Sequence, residues 1–288
     1  MSTPALWVVA TPIGHLADIT LRALETLKNA DLVLAEDTRR TAVLLRHHGI
    51  DTPLESFHAH SSEEKIERLV ARLNDGEILA LVSDAGTPVI SDPGVRLVAA
   101  ARAAGHEVST APGPSAMLSA LSIAGLRAER FVFLGFLPRS AGKRRSEVEA
   151  IAARREASVL FESPQRLAAL LEEMVAQLPD RQVAVCRELT KRFEEVARGT
   201  PATLLERFRA GTRGEITLVV EAVASATPEL TQDDDVEAFV RAALAAGDRV
   251  KAVAKALAKR SGLSGSEAYE RVLAVREEVV DRDPDAEP

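Results

Sequence analysis

The sequence has 288 residues, 46% of them hydrophobic and 27% charged, with a formal net charge of -7. That much apolar material supplies more than one core, so two domains with a small third are expected. The acidic balance excludes wholesale wrapping of nucleic acid but leaves room for a local basic face.

The chain opens on MSTPALWVVATPIG, which has no basic leader and too short an apolar run for a signal peptide. No segment approaches ~20 consecutive apolar residues, so a cytoplasmic protein without a membrane span is expected. Short apolar runs follow at 6–10, 31–36, 77–83, 106–111, 131–136, 157–163, 182–189 and 214–221. Continuous runs of this length suit strands covered on both faces, as in α/β sheets. The single cysteine, Cys186, lies in the seventh run and reads as a small buried hydrophobe. It excludes an internal disulfide, and nothing points to Cys-bound zinc.

Helical patterns alternate with these runs. Ser61 and Glu64 form a capping-box pattern ahead of Ile66, Leu69, Val70 and Leu73, and Asn74-Asp75-Gly76 closes that helix. Ser146 and Glu149 repeat the box before a helix through Ala153. Ser163-Pro164 and Thr200-Pro201 each place a cap residue before a proline suited to the first helical position, and Gly105 and Gly125 are C-terminal stops. The expected organisation is an N-terminal α/β domain over 1–112 and a second α/β domain over 113–226, meeting at PGPS. A polar linker at 227–235 leads to a small helical domain ending near 280, whose short turns permit a helix-turn-helix-like bundle. An acidic, disordered tail is expected at 281–288.

Open α/β sheets bind ligands beyond the carboxyl ends of their strands, and nearly every such loop here is rich in turn residues or charge. In order they carry Thr11-Pro12-Ile13-Gly14, then Glu36-Asp37-Thr38-Arg39-Arg40, then the long SDAGTPVISDPG, then Pro112-Gly113-Pro114-Ser115-Ala116. Pro138-Arg139 with Lys143-Arg144-Arg145 comes next, then Glu162-Ser163, then Glu188-Leu189-Thr190-Lys191. A site assembled from several strand ends is expected. There is no G-x-G-x-x-G after the first strand, no phosphate-binding G-x-x-x-x-G-K-[ST], no H-E-x-x-H and no nucleophile elbow. His47 with His48, and His58 with His60, read as surface or hydrogen-bonding groups, so no metal is expected.

SDAGTPVISDPG, with VVATPIGHLADITLRALETL, LAEDTRRTAVLL, APGPSAMLSALSIAG, FVFLGFLPR, FESPQRL, CRELTKRFEEVARG and GEITLVVE, resembles the bacterial 16S ribosomal RNA (cytidine-2'-O)-methyltransferase family. That family lies within the tetrapyrrole-methylase-fold group. The resemblance implies two α/β domains with a cofactor cleft between them, S-adenosylmethionine as cofactor, and a homodimer. It implies 2'-O-methylation of a cytidine in the decoding region of 16S rRNA, either free or within the assembled small subunit. Matched motif by motif, the cofactor falls against Pro12, Ile13, Gly14, Asp84, Ala85, Gly86, Thr87, Ser115 and Ala116. On the second domain it falls against Phe161, Glu162, Leu189, Ile216 and Thr217. Gly86 lets main chain approach the ligand closely, and a helix starting at Ser115 can hold a carboxylate.

Deprotonation of a ribose hydroxyl calls for a base, and Asp37, Asp84, Glu162, Glu188 and Lys191 are candidates. Lys191 qualifies if burial lowers its pKa. Plainer roles stand beside these: Asp37 as a helix cap, Glu188 as a partner of Arg187 or Lys191. RNA needs cations. Arg39, Arg40 and Arg46 form one cluster, and Arg139, Lys143, Arg144 and Arg145 form a second, expected on a basic loop. Lys251, Lys255, Lys259 and Arg260 form a third on a helix, where a solvated charged face serves equally well. With aromatics at 3%, extensive base stacking is not expected, and phosphates and RNA shape would carry recognition. Two other functions remain open: a small-molecule methylase of the tetrapyrrole type, and a non-catalytic binder of adenosylmethionine or RNA.

Overall fold

The computed structural model describes residues 5–88, 94–223, 233–261 and 263–281. Two compact units divide after Val223. The first begins with β1 (Leu6–Val9), α1 (Leu21–Asn29), β2 (Leu32–Ala35), α2 (Thr38–His47) and β3 (Leu54–Ser56). It continues through α3 (Glu63–Asn74), β4 (Leu79–Val82), α4 (Val95–Ala103), β5 (Val108–Ala111) and α5 (Ala116–Ala124). These five strands form one parallel sheet in the order β3-β2-β4-β1-β5.

Alternation along each strand explains the two cores of this sheet. Val33, Ala35, Ala80 and Val82 pack with Leu27, Leu44 and Leu45 of α1 and α2. Their neighbours Leu32, Leu34, Leu79 and Leu81 pack with Ile66, Leu69 and Leu97 of α3 and α4. A strand buried on both faces has no polar side to show, hence the unbroken apolar runs.

The second sheet is mixed. Its elements are β6 (Phe131–Phe136), α6 (Ala141–Ala153), β7 (Ala157–Glu162), α7 (Leu167–Gln177), β8 (Val183–Arg187), β9 (Glu195–Gly199), α8 (Pro201–Phe208) and β10 (Ile216–Val220). The order is β6-β7-β10-β8-β9, with β6 and β7 parallel and β10 antiparallel to both of its neighbours. One face packs on α6, α7 and α8 through Leu160, Val185 and Leu218. The other carries Val159, Ala184, Cys186 and Val219, which meet Ala120 and Ala124 of α5 and Ile13 from the loop after β1. Cys186 is fully buried and its thiol is pushed up to about 11 by that burial. Helix α5 therefore follows a strand of the first sheet yet covers the second.

In the other unit, α9 (Asp233–Ala245), α10 (Val250–Ser261) and α11 (Gly265–Asp281) close around Val236, Val240, Leu257 and Val272. Lys251 and Lys255 are exposed there, and the Arg260 guanidinium lies 4.3 Å from the Phe239 ring centroid. The Lys259 side chain lies outside the described residues, as do most of the expected linker and all but the first residue of the expected tail. Among the described residues, no helix is long and apolar enough to cross a membrane.

Several local expectations are corrected. Ser62, not Ser61, caps α3, accepting the Lys65 N–H; Ser61 is buried and accepts the His58 N–H instead. Helix α6 starts at Ala141, so Ser146 lies inside it and turns its hydroxyl back to the Gly142 carbonyl. Residues 143–145 are thus helical rather than loop. Ser163-Pro164 makes a turn before α7, which begins only at Leu167, whereas Thr200-Pro201 does open α8. Strands β3 and β9 have no unbroken apolar run to announce them: LES is three half-buried residues, and EVARG alternates with charge at a sheet edge.

Candidate functional site

Strands β4, β1 and β5 lie side by side, so the loops beyond their carboxyl ends meet. They are joined through the main chain. Thr11 N–H donates to the Gly86 carbonyl at 2.9 Å, and Gly86 N–H returns a bond to the Thr11 carbonyl at 3.0 Å. The Thr11 hydroxyl donates to Ser83 O at 3.1 Å, and the Thr87 hydroxyl to Pro114 O at 3.3 Å. Gly86 sits at φ +81, and a Cβ there would stand 3.4 Å from Ile13 Cγ2. Only glycine takes this left-handed position without strain. Ser115 caps α5, accepting the Leu118 N–H, so the first turn of that helix opens onto the same space.

The second sheet brings the opposite wall. Antiparallel β10 starts where β7 and β8 end: Ile216 pairs with both Glu162 and Arg187. The resulting cavity has a volume of about 380 Å³. Ile13, Ala85, Gly86, Thr87, Ser115 and Ala116 line it from one side, and Phe161, Glu162, Leu189, Ile216 and Thr217 from the other. All eleven are residues expected at a cofactor site. The remaining three lie elsewhere. Pro12 and Asp84 line a separate hollow of about 260 Å³ beside Arg40. Gly14 packs under the loop after β8, where a Cβ would fall 2.5 Å from Lys191 Cγ; it is there for close approach of the two halves.

The cavity also holds Ser163, from a strand-end loop already singled out, and Met117, Phe136, Pro164, Gly214 and Glu215, which were not among the expected cofactor contacts. Gly214 and Glu215 precede a strand instead of following one, and only the antiparallel run of β10 brings them to this rim. Phe136 looks in sequence like any strand apolar residue.

Of the five candidate catalytic groups, Asp84 lies in the hollow beside Arg40, where its Oδ1 accepts the Asp37 N–H at 2.9 Å, and the other four differ sharply. Glu162 is buried, with a side chain 0% exposed. Its Oε1 accepts the Ser163 N–H at 2.8 Å and lies 3.1 Å from Arg166 Nε, while Oε2 has no hydrogen-bond partner. Burial pushes its carboxyl above the ordinary range, and the Ser163 N–H and the Arg166 charge only partly oppose that. Glu188, with φ +52, is held low by Lys191, whose Nζ donates to it at 2.8 Å, and by the Glu215 N–H at 3.0 Å. Burial pulls the Lys191 ammonium down, but its bonds to Glu188 and Glu215 outweigh this and the net shift is upward. The expectation of a Lys191 base is therefore corrected: paired with two carboxylates, it keeps its proton. Asp37 caps α2 and is gripped by the Arg39 guanidinium, which sets its pKa at about 2. A carboxylate held that low is a poor proton acceptor.

Of the expected RNA-facing cations, Arg39, Arg40, Arg139, Lys143 and Arg145 are exposed. Arg39 is shared with Asp37, and Arg40 lies 3.6 Å from Asp84. Arg144 is corrected: it is buried, and its Nε and Nη2 donate to the two Glu173 oxygens at 2.9 and 2.8 Å. On a helix packed against α7, every third or fourth residue must turn inward, and Arg144 is the one.

Residues 5–205 match the family of Tetrapyrrole (Corrin/Porphyrin) Methylases. A ribosomal RNA small subunit methyltransferase I from Mesorhizobium japonicum is 44% identical over 277 residues, spanning 95% of this chain and 93% of its own length. Its namesake from Escherichia coli O157:H7 is 45% identical across 79% of this chain and 81% of its own. Among solved structures, a uroporphyrin-III C-methyltransferase from Thermus thermophilus, complexed with S-adenosylhomocysteine, shares the fold. Its TM-score is 0.53 at 19% identity, over 76% of this chain and 97% of that one.

Proposed function

We infer the activity from one premise: this chain belongs to the tetrapyrrole methylase family and, within it, to the ribosomal RNA small subunit methyltransferase I group. It uses S-adenosylmethionine to methylate small-subunit ribosomal RNA, at the ribose 2'-hydroxyl of a cytidine in the decoding region of 16S rRNA. The observation that carries this reading is the cavity closed by the strand ends of both sheets.

The lining suits that cofactor on its own chemistry. A buried carboxylate with one unpartnered oxygen, Glu162, favours a cationic ligand. The start of α5 at Ser115 and Ala116 offers N–H groups to a carboxylate. Gly86 leaves room for a ring edge against main chain. When bound, the cofactor supplies a methyl group on a positively charged sulfur. The chain's part is to align and to dry the site: Ile13, Phe161, Leu189 and Ile216 exclude water, and positioning alone is worth several kcal/mol. Of the candidate bases, Glu162 lines the cavity, is buried and is raised toward the operating pH, so it accepts the hydroxyl proton. Exposed Arg139, Lys143 and Arg145 take RNA phosphates. Leu118 and Ile123, 52% and 45% exposed on α5, leave apolar surface for the second copy in a homodimer.

The test is methyl transfer from labelled adenosylmethionine to 16S rRNA and to small subunits from cells lacking this protein, with the product mapped by alkali resistance. One new resistant cytidine in the decoding region is expected. Transfer to a tetrapyrrole and to neither RNA substrate would overturn the reading.

A further inference from the structure

Strand β6 lies at the edge of its sheet and contains a bulge. Phe133 pairs with Val159 and Gly135 with Leu160, so Leu134 is an extra residue, and Gly135 takes φ +63 to accommodate it. The bulge has a consequence for the side chains. In a regular strand, residues three apart point to opposite faces. Here the inserted residue returns Phe136 to the face of Phe133, and both rings meet Phe161, with centroids 5.7 and 5.0 Å away. The three rings form one cluster on the cavity side.

Phe136 is 60% exposed and lines the cavity. With Phe133 and Phe161 it makes a contiguous aromatic surface at the cavity wall, and such a surface marks a binding site. The ring is also preset. Leu137 beyond it is buried, and Arg166 Nη2 donates to the carbonyls of Leu137 and Pro138 at 2.8 and 3.2 Å. Three residues on, Arg139 is exposed and makes no ion pair with another described residue. Lys143 and Arg145 are exposed on the helix that follows. A flat apolar face beside free cations matches a single-stranded nucleotide, which presents a base and a phosphate together.

We propose that Phe136 is the stacking platform for a nucleobase of the RNA substrate, with Arg139 taking the adjoining phosphate. This rests on the RNA-methylating activity inferred above. No covalent change is involved; a preset ring lowers the cost of ordering the base against the cavity.

The experiment compares Phe136→Leu, which keeps apolar bulk but loses the flat face, with Phe136→Trp, which restores it. RNA KM and kcat are measured on 16S rRNA, and S-adenosylhomocysteine affinity by calorimetry. Leu should raise the RNA KM by roughly five- to 150-fold, the range of one lost base stack, with the loss falling on KM more than kcat. The homologue affinity of S-adenosylhomocysteine should hold. Trp should restore KM, and its emission, corrected for Trp7, should be quenched by a decoding-region oligoribonucleotide and not by S-adenosylhomocysteine. An unchanged RNA KM in the Leu variant overturns the inference. So does a fall in S-adenosylhomocysteine affinity with RNA KM intact, which would assign the ring to the cofactor. If the unaltered protein methylates no rRNA, the activity falls and this inference with it; if it does, only the platform is at stake.

Discussion

The two rims of the cavity are built by different means. Along the parallel sheet, the loops after β1, β4 and β5 are held by main-chain bonds between Thr11 and Gly86 and by small hydroxyls. Along the mixed sheet, side-chain charge does the holding: Glu188, Lys191 and Glu215 form one cluster, and Glu162 and Arg166 another. The first rim is fixed by main-chain and hydroxyl contacts; the second is fixed by charged side chains. The contrast teaches that Glu162, the last residue of β7, and Glu188, the first beyond β8, sit in opposite environments although both strands flank β10. Glu188 is satisfied and pulled down; Glu162 is undersatisfied and pushed up, as the base proposed above would be.

The largest effect expected from breaking this comparison is at Glu162. Glu162→Gln should lower kcat by roughly 10²- to 10⁴-fold, the usual worth of a general base, while the RNA KM changes little. In the unaltered enzyme, activity should fall as pH drops through a value above that of an ordinary glutamate, because the base must be ionised. The same shift has a stability sign: a raised carboxyl contributes most below its ordinary pKa and loses that contribution as pH rises through the raised value. A pH–rate profile with its acid limb at the ordinary value would remove Glu162 as the base.

Next is Gly86→Val on the other rim. A β-branched residue at φ +81, with its Cβ 3.4 Å from Ile13, is strained by on the order of 3 kcal/mol. S-adenosylhomocysteine binding should weaken by roughly 100-fold with no change in its pH dependence. Retained affinity in calorimetry would show that this loop does not touch the ligand.

A smaller effect is expected at the Glu188 cluster. Lys191→Met strips Glu188 and Glu215 of their shared partner and should cost about 1 to 2 kcal/mol, read as a few degrees of Tm. Glu188 is a lowered carboxyl, so its stabilisation is present above its ordinary pKa and lost as pH falls through the depressed one. The variant's deficit should therefore shrink in acid; a deficit constant with pH would point to packing against Gly14 instead.

The smallest is at the basic helix. Lys143→Ala with Arg145→Ala should flatten the dependence of RNA affinity on salt, each lost phosphate contact removing about 0.7 to 0.9 from the logarithmic slope. Arg144→Ala should leave that slope unchanged and lower Tm, because Glu173 loses its partner.

The sequence by itself determined the alternation of strand and helix, since a short apolar run such as LVLA or LALV, set between helical patterns and turn residues, suits a strand buried on both faces. Turn chemistry at strand ends also singled out the loops that hold Gly86, Ser115 and Glu162, while the expectation that a cofactor meets these residues came from the family resemblance. Tertiary structure alone decided three things. The antiparallel entry of β10 placed Gly214 and Glu215 on the rim. Pairing fixed the charges: Lys191 found Glu215, 24 residues away, and Arg144 found Glu173, 29 away. One inserted residue in β6 decided which face Phe136 shows. The physical reason is common to all three. Hydrophobic periodicity reports how deeply a residue is buried, whereas charge pairing, strand direction and facing depend on register between segments far apart in the chain.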